Sequence, residues 1–254
     1  MDTDTKWTFD DAMNGFTIIS LKTINRGEQV YDSYGRKCNS RFFVNYGFAL
    51  ADNEDDNEAV LRFTPSPAAD PFYHTKLGML ASTTTTTLSR EFQVPATYRE
   101  TSDREKKTKE MFSWLRFVVA VDSELMMLPQ GDNGRVKVEE VEPVSVRNEV
   151  AVLRMVKAAA DEALRAFDTT LEEDDELLRT EAYAEYSNER NCVLMRRGEK
   201  QVLRWYVRLA EVCLELLSKP WSVVKKATAK SLQQSHIPLD HYIVSVVIPL
   251  VKKS

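Results

Sequence analysis

Tyr34 stands in the run Arg26-Gly27-Glu28-Gln29-Val30-Tyr31-Asp32-Ser33-Tyr34-Gly35-Arg36-Lys37-Cys38-Asn39-Ser40, and Asn45-Tyr46-Gly47-Phe48 follows closely. A phenol oxygen can hold a reacting group in line and favour charge that develops beside it. Aromatic faces such as those of Tyr46 and Phe48 attract cations and stack on flat rings. Spacing alone reads Tyr34 as a strand tyrosine packing its ring in a small β core. It reads Tyr46 and Phe48 as ordinary packing at a helix end.

Other chemistry has little support in the sequence. There is no phosphate-cradling glycine loop, no G-x-S-x-G and no H-E-x-x-H. His74, His236 and His241 are scattered. Cys38, Cys192 and Cys213 are odd in number and far apart, which gives neither a disulfide framework nor a zinc site. No metal site is expected. Cys192 and Cys213 fall on apolar helical faces and read as small buried hydrophobes.

The elements that must position these residues differ along the chain. Trp7–Phe9 and Gly15–Leu21 are β-rich, and Asn14-Gly15 between them is a hairpin signal. Glu28–Tyr34 reads as a further strand, in which Tyr31 and Tyr34 would face opposite ways. Ser40–Phe48 reads as a short helix with Gly47 near its end and Asn39 as its cap. Glu28 is expected to fix the turn after Gly27. The acidic stretch Asp52–Glu58 reads as a connector and a boundary.

From about Pro65 the chain reads as mainly helical. The threonine run Thr83–Thr87 suggests a strand or extended loop, with Glu91–Tyr98 as its partner. Asp103–Leu125 has helical spacing in Met111, Trp114, Leu115, Val118 and Val119. Ser145 is a cap for the next helix, whose stripe is Val150, Leu153, Val156, Ala160, Leu164 and Phe167. Thr170-x-x-Glu173 is a capping box. Ala182–Leu217 carries Met195, Val202, Tyr206, Leu209, Cys213 and Leu217, and Lys219-Pro220 ends it. A last helix is read over Ser222–Gln233. The expected fold class is α+β, divided into 1–52 and 66–254.

The 254 residues are 43% hydrophobic and 29% charged, an ordinary globular composition. A net charge of -5 argues against a nucleic-acid binder and is compatible with a basic protein partner. The N-terminus has no secretory signal, and the apolar tail Tyr242–Val251 is too short to span a bilayer. A soluble, intracellular protein is the expectation, with no membrane partner.

The run through Tyr34-Gly35, Asn39-Ser40 and Tyr46-Gly47-Phe48 resembles the C-terminal signature of SET-domain protein methyltransferases. The pattern is that of the Rubisco large-subunit methyltransferase group, which includes the actin-histidine methyltransferases. Phe167–Asp174 and Arg196–Leu203 look like the final helices of that group's substrate-binding domain. The resemblance implies the end of a SET domain over 1–52 and a substrate-binding helical domain over 66–254. It implies S-adenosylmethionine as cofactor and a protein as substrate, held by the helical domain. Tyr34 matches the family's catalytic tyrosine, and Tyr46 and Phe48 match positions lining the cofactor pocket. The family's upstream glycine motif and Asn-His pair have no counterpart here. The chain is therefore expected to start inside the catalytic domain and, alone, to bind the cofactor poorly. Two alternatives stand beside a lysine methyltransferase: a histidine-modifying enzyme, and a non-catalytic helical interaction module with a vestigial SET remnant.

Overall fold

The computed structural model describes residues 4–80, 86–98, 103–131, 134–225 and 240–253. The chain forms two compact units, Met1–Lys37 and Cys38–Ser254, each with one two-stranded antiparallel sheet among its described residues. The second unit is mainly helical, so the fold is α+β.

In the first unit β1 (Thr5–Asp10) pairs with β2 (Gly15–Ser20), with Trp7 opposite Ile18 and Phe9 opposite Phe16. One carboxylate oxygen of Asp10 accepts from the Ala12 and Met13 amides at 2.9 and 3.1 Å, and Asn14 turns the chain at φ 45°. Asparagine tolerates that left-handed region better than most residues. The hairpin expected from Asn14-Gly15 is present.

Residues 28–34 do not form the expected strand. The reason is local. The Asp32 carboxylate accepts the Ser33 amide at 2.8 Å, and the Ser33 hydroxyl accepts the Gly35 amide at 3.0 Å. Side chains thus take backbone donors that a sheet ladder would need.

In the second unit α1 (Asn39–Tyr46) ends at Gly47, whose φ of 79° is the left-handed cap that glycine adopts without strain. Asp52–Glu58, read in sequence as a connector and boundary, lies inside this unit. Glu54–Asp56 is a 3-10 turn, and β3 (Glu58–Phe63) starts directly after it. The partner of β4 (Arg90–Pro95) is β3, with Leu61 opposite Phe92. Alternation explains the pairing: Ala59, Leu61 and Phe63 point into the core while Val60 and Arg62 face outward. Thr83–Thr85 lie outside the described residues, and Thr86 and Thr87 are irregular.

Helices complete the unit. α2 is Tyr73–Met79, and α3 is Asp103–Val119. The helix read over 103–125 breaks at Ala120-Val121 and resumes as α4 (Asp122–Leu125), where Glu124 accepts the Val121 amide at 3.1 Å. α5 (Val146–Arg165) starts at Ser145, whose hydroxyl accepts the Asn148 amide. α6 (Leu171–Arg179) opens with the reciprocal Thr170–Glu173 capping box. α7 (Asn188–Leu217) is capped by Ser187, six residues later than the expected start, and closes before Pro220. Of the last helix read in sequence, Trp221–Lys225 is helical and the rest lies outside the described residues. A helical run closes the chain over Asp240–Tyr242, Ile243–Val247 and Ile248–Lys253, the middle part a π-helix.

α5, α7, α3 and the β3–β4 sheet bury one continuous apolar core that includes Leu61, Val94, Phe112, Leu153, Tyr206 and Cys213. Two charged nodes sit within this unit. Arg116 grips Glu149 with two hydrogen bonds at 2.9 and 3.0 Å, and the Tyr242 hydroxyl donates to the same carboxylate. Lys200 donates to Asp174 at 2.6 Å and to the Thr169 hydroxyl at 2.8 Å, while Arg196 takes the other Asp174 oxygen at 2.7 Å. Every charge in these nodes has a partner, as burial requires.

Candidate functional site

In the first unit Tyr34 sits at the end of an irregular segment fastened to the start of β1. The Asp4 amide donates to the Tyr31 carbonyl at 3.2 Å, and the Tyr31 amide donates back to the Asp4 carboxylate at 3.3 Å. The Thr5 hydroxyl lies 3.3 Å from both the Tyr31 carbonyl and the Asp32 carboxylate. Lys22 bonds the Asp4 carboxylate at 2.6 Å, and that bond holds its pKa below the usual range. Upstream, Glu28 accepts the Asn25 backbone and side-chain amides at 2.8 and 2.9 Å and so closes the turn at Gly27. The Lys37 ammonium donates to the Tyr34 carbonyl.

The Tyr34 ring is 56% exposed. It is not sealed in a β core, which is where spacing alone put it. Tyr31, equally exposed, donates its hydroxyl to Gln29 at 3.1 Å. With no strand at this point, the expected opposite facing of Tyr31 and Tyr34 does not apply.

The second unit brings Tyr46 and Phe48 together with Phe42. Ring centroids are 5.1 Å apart for Phe42–Phe48, 6.3 Å for Tyr46–Phe48 and 6.4 Å for Phe42–Tyr46. Phe42 is buried beneath, whereas Tyr46 stays 42% exposed. The trio is an aromatic platform with an outer rim. Such a surface can take a flat heteroaromatic ring or a sulfonium cation.

Four asparagines hold the platform's backbone. Asn39 does not cap α1, since Cys38 occupies the N-cap position. It is buried as the first helical residue instead. Its side chain donates to the Leu50 carbonyl at 2.9 Å and accepts the Leu50 amide at 3.0 Å. Its own amide donates to the Asn57 side chain at 3.2 Å, and Asn53 donates to the Asn39 oxygen at 3.1 Å. The fourth asparagine, Asn191 on α7, reaches Gly47 and Ala49 across more than 140 residues of sequence. Sequence reading did not find Asn53, Asn57 or Asn191, because their partners are set by packing and not by local spacing.

A cleft of about 260 Å³ opens between β3, the end of α5 and α7, lined by Val60, Arg62, Phe167, Glu199 and Leu203 among others. Burial pushes the Glu199 carboxyl up. Among the described residues no group of three or more acidic, histidine or cysteine side chains is placed to hold a metal ion. Among those residues no helix is long and apolar enough to cross a membrane.

Comparison with known proteins covers both units. A chloroplastic fructose-bisphosphate aldolase-lysine N-methyltransferase of Arabidopsis thaliana is 30% identical over 74% of this chain and 37% of its own length. The actin-histidine N-methyltransferase of Homo sapiens is 24% identical over 93% of this chain and 38% of its own length. The chain thus spans less than two-fifths of these relatives. A solved structure of LSMT with lysine and AdoHcy superposes with a TM-score of 0.58 at 25% identity, covering 87% of this chain and 49% of that one. A Rubisco LSMT structure bound to AdoMet gives 0.55 at 28% identity, over 78% and 43% of the two chains. The family model described as Rubisco LSMT substrate-binding matches residues 67–203, more than half of the chain. The chain belongs to the Rubisco LSMT substrate-binding family.

Proposed function

We propose that this protein is an S-adenosylmethionine-dependent protein methyltransferase in which Tyr34 is catalytic and Tyr46 and Phe48 face the cofactor. The observation that carries the reading is an order of parts. An exposed Tyr34-Gly35 precedes the Tyr46-Gly47-Phe48 platform, and a region of the substrate-binding family follows at 67–203. One methyltransferase relative aligns over 93% of the chain. We assign 1–52 to the end of the catalytic domain and 66–254 to the domain that holds the protein substrate.

The platform suits the cofactor on its own chemistry. Tyr46 and Phe48 offer π faces with one exposed rim, which fits a sulfonium or an adenine. S-adenosylmethionine, when bound, supplies the methyl group. The protein's part is positioning and proton control. The Tyr34 hydroxyl orients the target nitrogen and favours the positive charge that grows there. A target lysine must be neutral to react, although its free pKa is about 10.4. A positive charge held beside it would favour that neutral form.

Histidine is the second reading of the target. Its support is that the Homo sapiens actin-histidine relative aligns over 93% of this chain, against 74% for the lysine-modifying one.

The test is methyl transfer by the full-length protein from methyl-labelled S-adenosylmethionine to cell extract, with the labelled residue mapped by mass spectrometry. Label on a protein lysine or histidine supports the reading. A folded protein that labels no protein overturns it and favours a non-catalytic interaction module.

A further inference from the structure

Asn191 is 2% exposed, and its carboxamide is used at both ends. Its oxygen accepts the Ala49 amide at 3.0 Å, and its nitrogen donates to the Gly47 carbonyl at 3.2 Å. The two bonds fall on either side of Phe48. One rigid side chain on α7 therefore fixes the peptide planes before and after that residue. The Phe48 ring stacks on Phe42 at 5.1 Å and meets Tyr46 at 6.3 Å, so the backbone clamp also sets the aromatic platform.

The same helix makes a second attachment two turns on. Gly198 lies where Asn57 packs, and Asn57 accepts the Asn39 amide that opens α1. Further along this face Gln201 donates to Glu54 at 2.9 Å. Residues 191, 198 and 201 lie near one stripe of a helix with 3.6 residues per turn. Asn191 and Gly198 fall within the family-matched region, whereas the platform they hold lies before it.

We infer that Asn191 is a positioning residue for the cofactor-facing aromatics, an inference that rests on the reading of Tyr46 and Phe48 given above. The substrate-binding region then does more than hold a substrate. Through α7 it sets the geometry of the platform on which the cofactor lies. Neither a valine nor a leucine replaces asparagine here, because two backbone groups would lose their partners in a buried place.

Fluorine NMR of the full-length protein carrying 4-fluorophenylalanine, with the Phe48 signal assigned through Phe48→Leu, tests this. Asn191→Ala is expected to shift and broaden the Phe48 signal while the Phe63 and Phe112 signals of the core stay fixed. The Kd for S-adenosylmethionine should rise roughly tenfold. Asn191→Asp keeps the acceptor for Ala49 but turns a buried carboxylate oxygen on the Gly47 carbonyl, so it should move the Phe48 signal at least as far as alanine does, and Asn191→Gln, which keeps both groups, carries the comparison if neither variant folds. An unmoved Phe48 signal overturns the inference. So does a moved signal with unchanged cofactor affinity, which makes Asn191 structural only. Wild-type protein that binds no S-adenosylmethionine overturns the cofactor reading itself, and the platform then has nothing to be positioned for.

Discussion

Gly198 lies against Asn57 so closely that a β-carbon on it would stand 2.6 Å from the Asn57 amide carbon. In the middle of α7 a glycine costs about 1 kcal/mol relative to alanine. Packing accounts for its presence: only a bare α-carbon leaves room for the side chain that holds the start of α1.

Gly198→Ala is therefore expected to reverse the usual helix rule. Propensity alone would stabilise the chain, yet the methyl group must push Asn57 off the Asn39 amide. We predict a net loss of about 1–3 kcal/mol, the range for overpacking in a filled interior. Urea unfolding followed by circular dichroism checks it. A gain in stability would mean that Asn57 moves aside at no cost.

Asn39→Ala removes both partners of Leu50 in a buried setting. The expected loss is about 1–3 kcal/mol, the range for an orphaned buried polar group. Hydrogen exchange should show faster loss of the Leu50 amide, while amides of α5 keep their protection.

The platform makes a binding prediction. Phe48→Ala or Tyr46→Ala should weaken S-adenosylmethionine binding between about threefold and thirtyfold, in line with a lost cation–π face. Calorimetry with S-adenosylhomocysteine sharpens the result. That ligand lacks the positive sulfur, so its affinity should fall less than that of S-adenosylmethionine.

These interactions also mark what could and could not be read in the sequence. Caps were legible because the chemistry is local: Ser145 and the Thr170–Glu173 box meet their amides three residues away. Gly47 was legible as a helix stop for the same reason. The β3–β4 pair was not, since Leu61 finds Phe92 across an intervening helix and no short-range signal names the partner. Tyr34 was misplaced by period-2 reasoning because Asp32 and Ser33 bind their own neighbours' amides and end the strand pattern. Asn191 carries no motif at all. Its role exists only once α7 lies beside residues 47–49.

Acidity enters through Glu199. Burial raises its pKa above the ordinary carboxylate value of about 4.3. Between the two values the folded chain keeps a proton that the unfolded chain has released, so stability falls as pH rises through that window. Glu199→Gln removes this dependence. The variant should melt above wild type at pH 7–8, and the gap should close below about pH 4. Equal melting at all pH values would mean that the folded chain holds the charged carboxylate at no cost.

Tyr34→Phe decides the enzymatic account most directly. Single-turnover methyl transfer by the full-length protein should slow by roughly a hundred- to thousandfold when only the hydroxyl is removed, as for other single groups that stabilise a transition state. The Kd for S-adenosylmethionine should stay within a factor of about two, because the platform residues are untouched. A rate equal to wild type would contradict the assignment of Tyr34 and the mechanism built on it.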